Sequence, residues 1–205
     1  MDLIEVDGAI VVAGPDTRAF ISDQAAEQVR GIRFRPGILP RLLGVPAAEL
    51  RDRRVPLNDL RPELAGATLS EGTAALLGGE PGRETAPWPM AQLAEVTALL
   101  ASGAAVGAVA DEIGWSARNL QRQCAAVYGY GPTTLRRVLR FRRAVALLRS
   151  GVSAAQVASR AGYADQPHLH REVRELAGLP LSQLRQPSSG ANRSTVAPSG
   201  STTLA

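Results

Sequence analysis

The sequence predicts a mainly α chain: two helix-turn-helix units joined by a central helix, preceded by a small partial α+β region at the N-terminus. Three observations predict it. Apolar residues recur at helical spacing from about residue 90 to 185, in segments separated by glycine turns. Within that stretch one helix–turn–helix pattern occurs twice, about 48 residues apart. Before it, only two short runs read as strands.

Those strands are residues 8–14, an apolar run between glycines, and residues 30–37, which alternate apolar and charged side chains up to Pro36-Gly37. Ile32 and Phe34 are expected to face a core, and Arg33 and Arg35 water. Residues 38–52 read as one or two short helices, with Pro46 in a first turn and Leu39, Leu42, Leu43 and Leu50 on the apolar side. Two strands are too few for a stable sheet, so this half is expected to be a fragment of a larger domain or to depend on a partner. The expected domains are a partial N-terminal region over 1–77, a Gly/Pro-rich linker over 78–89, a helical domain over 90–186 and a disordered tail over 187–205.

Seven helices are predicted in the third of these. The first spans about 90–101, with Leu93, Val96, Leu99 and Leu100 on one side and Gly103 after its end. The second covers 104–112, rich in small residues. The third starts after Ser116, a good N-cap. The fourth, 133–149, carries Leu135, Val138, Leu139, Phe141, Val145 and Leu148 on two adjoining faces, as a helix packed on both sides requires. The fifth starts at Ser153 with Gln156 three residues on, a capping-box pattern. The sixth spans 165–177 and the seventh runs from Pro180 to Arg185.

The repeat can be checked by offset. Val109, Ala110, Gly114 and Trp115 match Val157, Ala158, Gly162 and Tyr163 at +48. After a one-residue insertion, Leu120, Arg122, Gly129, Leu135 and Arg136 match Leu169, Arg171, Gly178, Leu184 and Arg185 at +49. In each unit a glycine turn separates two helices and an Arg sits in the second.

Charge points to a polyanion. Residues 1–90 hold 10 Arg against 13 acidic residues, whereas 91–186 hold 12 Arg against 6. No Lys is present, so nothing follows from Arg standing where Lys could. Aromatics make up 4% of the chain, too few for stacking platforms. Cys124 is the single cysteine, which excludes an intrachain disulfide and a cysteine metal cluster. The acidic start, with Asp2, Glu5 and Asp7, is the reverse of a signal peptide, and no apolar run approaches membrane length. A cytoplasmic protein, at the nucleoid when bound to DNA, is expected.

The run Arg140-Phe141-x-x-Ala144-x-x-Leu147-Leu148, followed by Val157-Ala158-x-x-x-Gly162-Tyr163-x-Asp165-Gln166-x-His168-Leu169-x-Arg171, resembles the DNA-binding domain of AraC/XylS-type transcriptional regulators over about 91–186. The resemblance implies two recognition helices placed in successive major grooves, about one DNA turn (roughly 34 Å) apart. Gly31 to Gly37, Leu43-Gly44-Val45-Pro46 and Glu49-Leu50-Arg51-Asp52 look like the end of the N-terminal domain of a subset of that family. Against that pattern the β-rich front is missing and 61–87 is shortened, so no ligand site is carried over.

The residues expected to read bases are Arg118, Gln121 and Arg122 in the third helix, one stripe at i, i+3 and i+4, and Gln166, His170 and Arg171 in the sixth. Glu172 and Glu175 beside the second set are expected to repel phosphate and make it the weaker reader. Ser116, Arg136, Arg137, Arg142 and Arg143 are expected to meet phosphates. Arg140 is held open between phosphate contact and a structural pair with an internal acid or carbonyl. Cys124, four residues after Leu120, reads as a small buried hydrophobe. Trp115 and Tyr163 read as packing residues. His168 and His170 lie two apart on a helix and point to different sides, so no shared metal is expected. No catalytic set is visible, and neither an enzyme nor a cofactor is expected. The expected partners are double-stranded DNA and RNA polymerase, with no membrane; a small-molecule effector and a homodimer are left open. The alternative reading is a truncated regulator acting as a protein-interaction module with weak or no specific DNA binding.

Overall fold

In a computed structural model of the chain, residues 1–17, 29–80, 85, 87–184 and 202–204 are described. The chain opens with strands β1 (Asp2–Val6) and β2 (Ala9–Ala13), joined by Asp7-Gly8. Both turn residues have positive φ, 48° and 85°, which is the backbone a two-residue hairpin needs and which Asp-Gly favours. β1 pairs antiparallel with β3 (Val29–Phe34) on its other side, and β2 pairs antiparallel with β4 (Arg54–Pro56). A last strand, β5 (Thr202–Leu204), lies parallel to β3. The sheet order is β4-β2-β1-β3-β5.

This corrects three expectations. The N-terminal half is not limited to two strands, because β1 and β4 complete the sheet within the chain. The acidic residues of β1 are cross-strand partners: Asp2 accepts from Arg33 Nε and Nη2 at 3.0 and 2.7 Å, and Glu5 stands 3.6 Å from Arg30. Arg33 is thus paired across the sheet and does not simply face water. In the tail, residues 202–204 form β5, against the expected disorder; residues 187–201 and 205 lie outside the described residues.

Leu3, Val12 and Val55 line up across the sheet and turn their side chains into a core roofed by short helices. These are α1 (Ile38–Leu43), a 3-10 turn at Ala47–Leu50, α2 (Leu57–Leu60) and α3 (Leu69–Gly78). Pro46 stands just before the 3-10 turn, and Leu39, Leu43 and Leu50 are buried. Sequence reading did not place α3, although its start is signalled: Thr68 and Glu71 form a reciprocal capping box.

The seven C-terminal helices are α4 (Met90–Ser102), α5 (Val106–Glu112), α6 (Ala117–Tyr128), α7 (Pro132–Arg149), α8 (Ala154–Ala161), α9 (Gln166–Ala177) and α10 (Leu181–Leu184). They divide between two cores. Leu93, Val96, Leu100, Val109, Leu120, Cys124 and Leu135 belong to the same cluster as Leu3, Phe34 and Leu39 of the N-terminal half. Phe141, Leu148, Val157, Leu169, Val173 and Leu184 form the second cluster. α7 enters both. Among the described residues no helix is long and apolar enough to cross a membrane.

Trp88 locks the first core together. It lies in the segment expected as a linker, yet it is 1% exposed. Its ring stands 5.6 Å from Trp115 and 5.8 Å from Tyr128, and its carbonyl accepts from Arg41 Nη1 of α1 at 2.6 Å. Beside it, Gly129 lies so close to Pro15 that a Cβ there would come within 2.2 Å of the proline ring. Truncating an aromatic buried on all sides removes its transfer energy and leaves a cavity. Trp88→Ala is therefore expected to lower stability by about 3–5 kcal/mol, read as a shift in the denaturant midpoint followed by circular dichroism.

Candidate nucleic-acid interface

The helix pairs α5/α6 and α8/α9 are built alike. Val109 and Ala110 in α5, and Val157 and Ala158 in α8, are buried. Gly114 and Gly162 then take positive φ, 68° and 80°, a conformation open to glycine without Cβ strain. The following N–H groups turn back in the same way: Trp115 N donates to Ala110 O and Tyr163 N to Ala158 O, both at 2.8 Å. Each second helix has a side-chain cap. Ser116 Oγ accepts from Asn119 N at 3.2 Å, and Asp165 Oδ1 accepts from His168 N at 2.6 Å. α6 and α9 each run 12 residues and end on left-handed glycines, Gly129 and Gly178, whose N–H groups reach Ala125 O and Arg174 O at 3.0 Å. The +49 register thus holds through the whole of both helices, and it sets Gln121 against His170 and Arg122 against Arg171.

A family model described as a helix-turn-helix domain matches residues 109–187, and a domain of unknown function, DUF6597, matches residues 1–56. No curated protein matches the chain significantly. The crystal structure of a transcriptional regulator from Chromobacterium violaceum, described as having an AraC-type DNA-binding domain, is similar over 46% of this chain and 89% of its own length, at 24% identity and a TM-score of 0.43.

In the helix-turn-helix domain, Arg118, Gln121 and Arg122 are exposed on α6, while Leu120, Cys124 and Val127 are buried on its other side. Asn119 Oδ1 accepts from Arg122 Nη2 at 2.8 Å. The Gln121 amide lies over Gly131, where α7 begins. On α9, Gln166, His170 and Arg171 are exposed, with Gln166 Nε2 and His170 Nε2 3.4 Å apart, and Leu169 and Val173 are buried. Arg174, which sequence reading passed over, is also exposed on α9. It stands three residues after Arg171, a spacing that brings it to the same side.

Glu172 does not lie beside Arg171 in solvent. It is 5% exposed and faces α7. Arg140 Nε and Nη2 donate to its two oxygens at 3.2 and 2.5 Å, Arg137 Nε is 3.5 Å away and His168 Nε2 3.7 Å. Glu175 is exposed but pairs with Arg137 at 2.9 Å. The expected repulsion of phosphate by these two acids has no basis in this arrangement, since basic side chains already face both carboxylates. Arg140 has the structural role, with both an internal acid and, at 3.5 Å, the Gly162 carbonyl as partners.

The central-helix arginines also divide differently from expectation. Arg136 Nη2 donates to Gly103 O at the end of α4, at 2.8 Å. Arg137 is held by Glu172 and Glu175. Arg142 is half-buried toward the sheet; desolvation and then the like charge of Arg33 lower its pKa. These three, expected to meet phosphates, have partners or burial within the protein. Arg143 is exposed, and Ser116 is exposed at the N-terminus of α6. His168 Nδ1 accepts from Ala164 N at 3.3 Å while His170 faces solvent, so the two rings do not converge. No group of three metal-ligating side chains occurs among the described residues.

Cys124 is fully buried, and burial pushes its thiol pKa from 9.0 up to about 12. A folded-state pKa raised in this way means that the unfolded chain releases the proton first. The Cys124 contribution is intact below pH 9.0 and is lost as pH rises toward about 12. Tyr128 and Tyr163 are shifted in the same direction by burial. Stability is therefore expected to fall between pH 9 and 11, and Cys124→Ala to make that fall shallower, measured by denaturant unfolding across the range.

Proposed function

We propose that the chain is a transcription regulator that reads double-stranded DNA with both α6 and α9 in successive major grooves. Arg118, Gln121 and Arg122 read one half of the site, and Gln166, His170 and Arg171 the other. Ser116, Arg143 and the capped helix N-termini hold phosphates. The observation that carries this reading is the serial identity of the two readers, each with its own cap, its own exposed polar stripe and its own core. α7, which links them, has 18 residues, a length of about 27 Å at 1.5 Å per residue. That is on the scale of the roughly 34 Å between successive grooves on one DNA face.

Under this reading residues 1–77 are a regulatory region and 90–186 the DNA-binding domain. The division is one of role, since the first core runs through both. The rival reading, a protein-interaction module, drew on an N-terminal half that looked incomplete and on an acidic patch on α9. Glu172 is buried and Glu175 is paired, so the support from the patch is gone.

Selection of bound sequences from a random duplex library tests the proposal. A two-part motif with centres about 10 base pairs apart is the expected result. Arg122→Ala and Gln121→Ala are each expected to relax preference at one base, by about 1–3 kcal/mol. Arg143→Ala should weaken all sequences alike and reduce the salt slope by about one. Undiminished binding to the selected site after Arg118, Gln121 and Arg122 are all changed to Ala would show that α6 is not a reader.

A further inference from the structure

We infer that the Arg140–Glu172 pair is the device that aims the second reading helix, so that two residues remote from the DNA-facing stripe set base preference in one half of the site. The inference rests on the two-headed reading proposed above. Glu172 directly follows Arg171 in α9 but points to the opposite side, into α7. A helix packed only by apolar side chains can roll by small angles at little cost. A carboxylate gripped at both oxygens by a guanidinium has one good geometry. The bidentate contact of Arg140 with Glu172 therefore fixes the roll of α9 and, with it, the direction in which His170 and Arg171 leave the helix.

Arg140 also holds the turn before α9. Its Nη1 donates to Gly162 O at 3.5 Å, and its guanidinium lies over the Tyr163 ring at 4.6 Å from the centroid. The same ring meets His168 edge-on at 5.3 Å, in the first turn of α9. One side chain of α7 thus touches the turn, its aromatic residue and the reading helix. At 28% and 6% side-chain exposure the pair is shielded from solvent, so salt screens it less than a surface pair. Among the described residues the first unit shows no such pair: in the +49 register Glu172 falls on Gln123, a neutral residue, and α6 packs instead through its Tyr128 against Trp88 and the N-terminal half. The two readers are mounted by different physics, one by apolar packing and one by a buried charge pair.

The test uses the full chain and its selected two-part site, with mismatches placed in one half at a time. In the unaltered protein a mismatch in either half weakens binding. In Glu172→Gln, the penalty for a mismatch in the α9 half is expected to fall about tenfold, the scale of one lost base contact. The penalty in the α6 half and the salt slope should stay as they were. The double variant Arg140→Met/Glu172→Leu removes both charges without leaving either buried alone, which keeps the unit folded, and it should show the same half-specific loss. Gln123→Ala should leave both halves unaltered. A merely structural pair would lower the folded fraction and leave the mismatch penalties of the remaining protein alone. Penalties unchanged in folded Glu172→Gln, or falling equally in both halves, overturn the aiming role. If the unaltered chain selects no sequence, the DNA-reading function itself fails, and the aiming role with it.

Discussion

One helix has to satisfy two cores. α7 buries Leu135 among residues that reach as far as β1, and six residues later it buries Phe141 among α8 and α9. Between these anchors stand Arg136, Arg137 and Arg140, on a segment with protein on more than one side. Charged groups in that position need internal partners, because a desolvated cation without one costs several kcal/mol. Each finds one: the carbonyl at the end of α4 for Arg136, and the carboxylates of α9 for Arg137 and Arg140. The same constraint separates these arginines from exposed ones such as Arg118, Arg122, Arg143, Arg171 and Arg174.

The first core has a wider reach than a DNA-binding domain by itself would need. Trp88 is wedged against Trp115, the residue just before the Ser116 cap, and its carbonyl is held by Arg41 of the N-terminal half. The start of α6 is therefore in mechanical contact with the sheet domain through two aromatic rings. The second unit has its own small core and meets the rest chiefly through α7. A change in the N-terminal half would reach α6 directly and α9 chiefly by way of α7.

Much of this was legible in the sequence, for local reasons. The seven C-terminal helices declare themselves through apolar period and caps, and the repeat through its glycines. Cys124 was legible as a core residue because it lies one turn from Leu120. Residues β1 and β4 were missed: β4 is three residues long, and the acids of β1 hid its alternation, though Asp7-Gly8 was a hairpin signal in plain view. Glu172 was misplaced because its charge was read along the chain. Around the helix it lies three residues after buried Leu169, on the inward side. An internal acid or carbonyl was one of two roles legible for Arg140, but which residues partner the arginines was not. Gly103 is 33 residues from Arg136, and Glu172 is 32 from Arg140. Only the packing of distant helices decides such pairs.

The wedge of aromatic rings also determines what the molecule can report about itself. The chain has two tryptophans, and both sit in the first core, in contact with each other. The second core has none; its aromatic members are Phe141 and Tyr163. Indole emission is therefore a window on the sheet domain and the first helix-turn-helix unit alone. The second helix-turn-helix unit could melt with little trace in that signal. Helical ellipticity, by contrast, sums over both units. The difference between the two optical records measures how independently the two halves of α7 come apart.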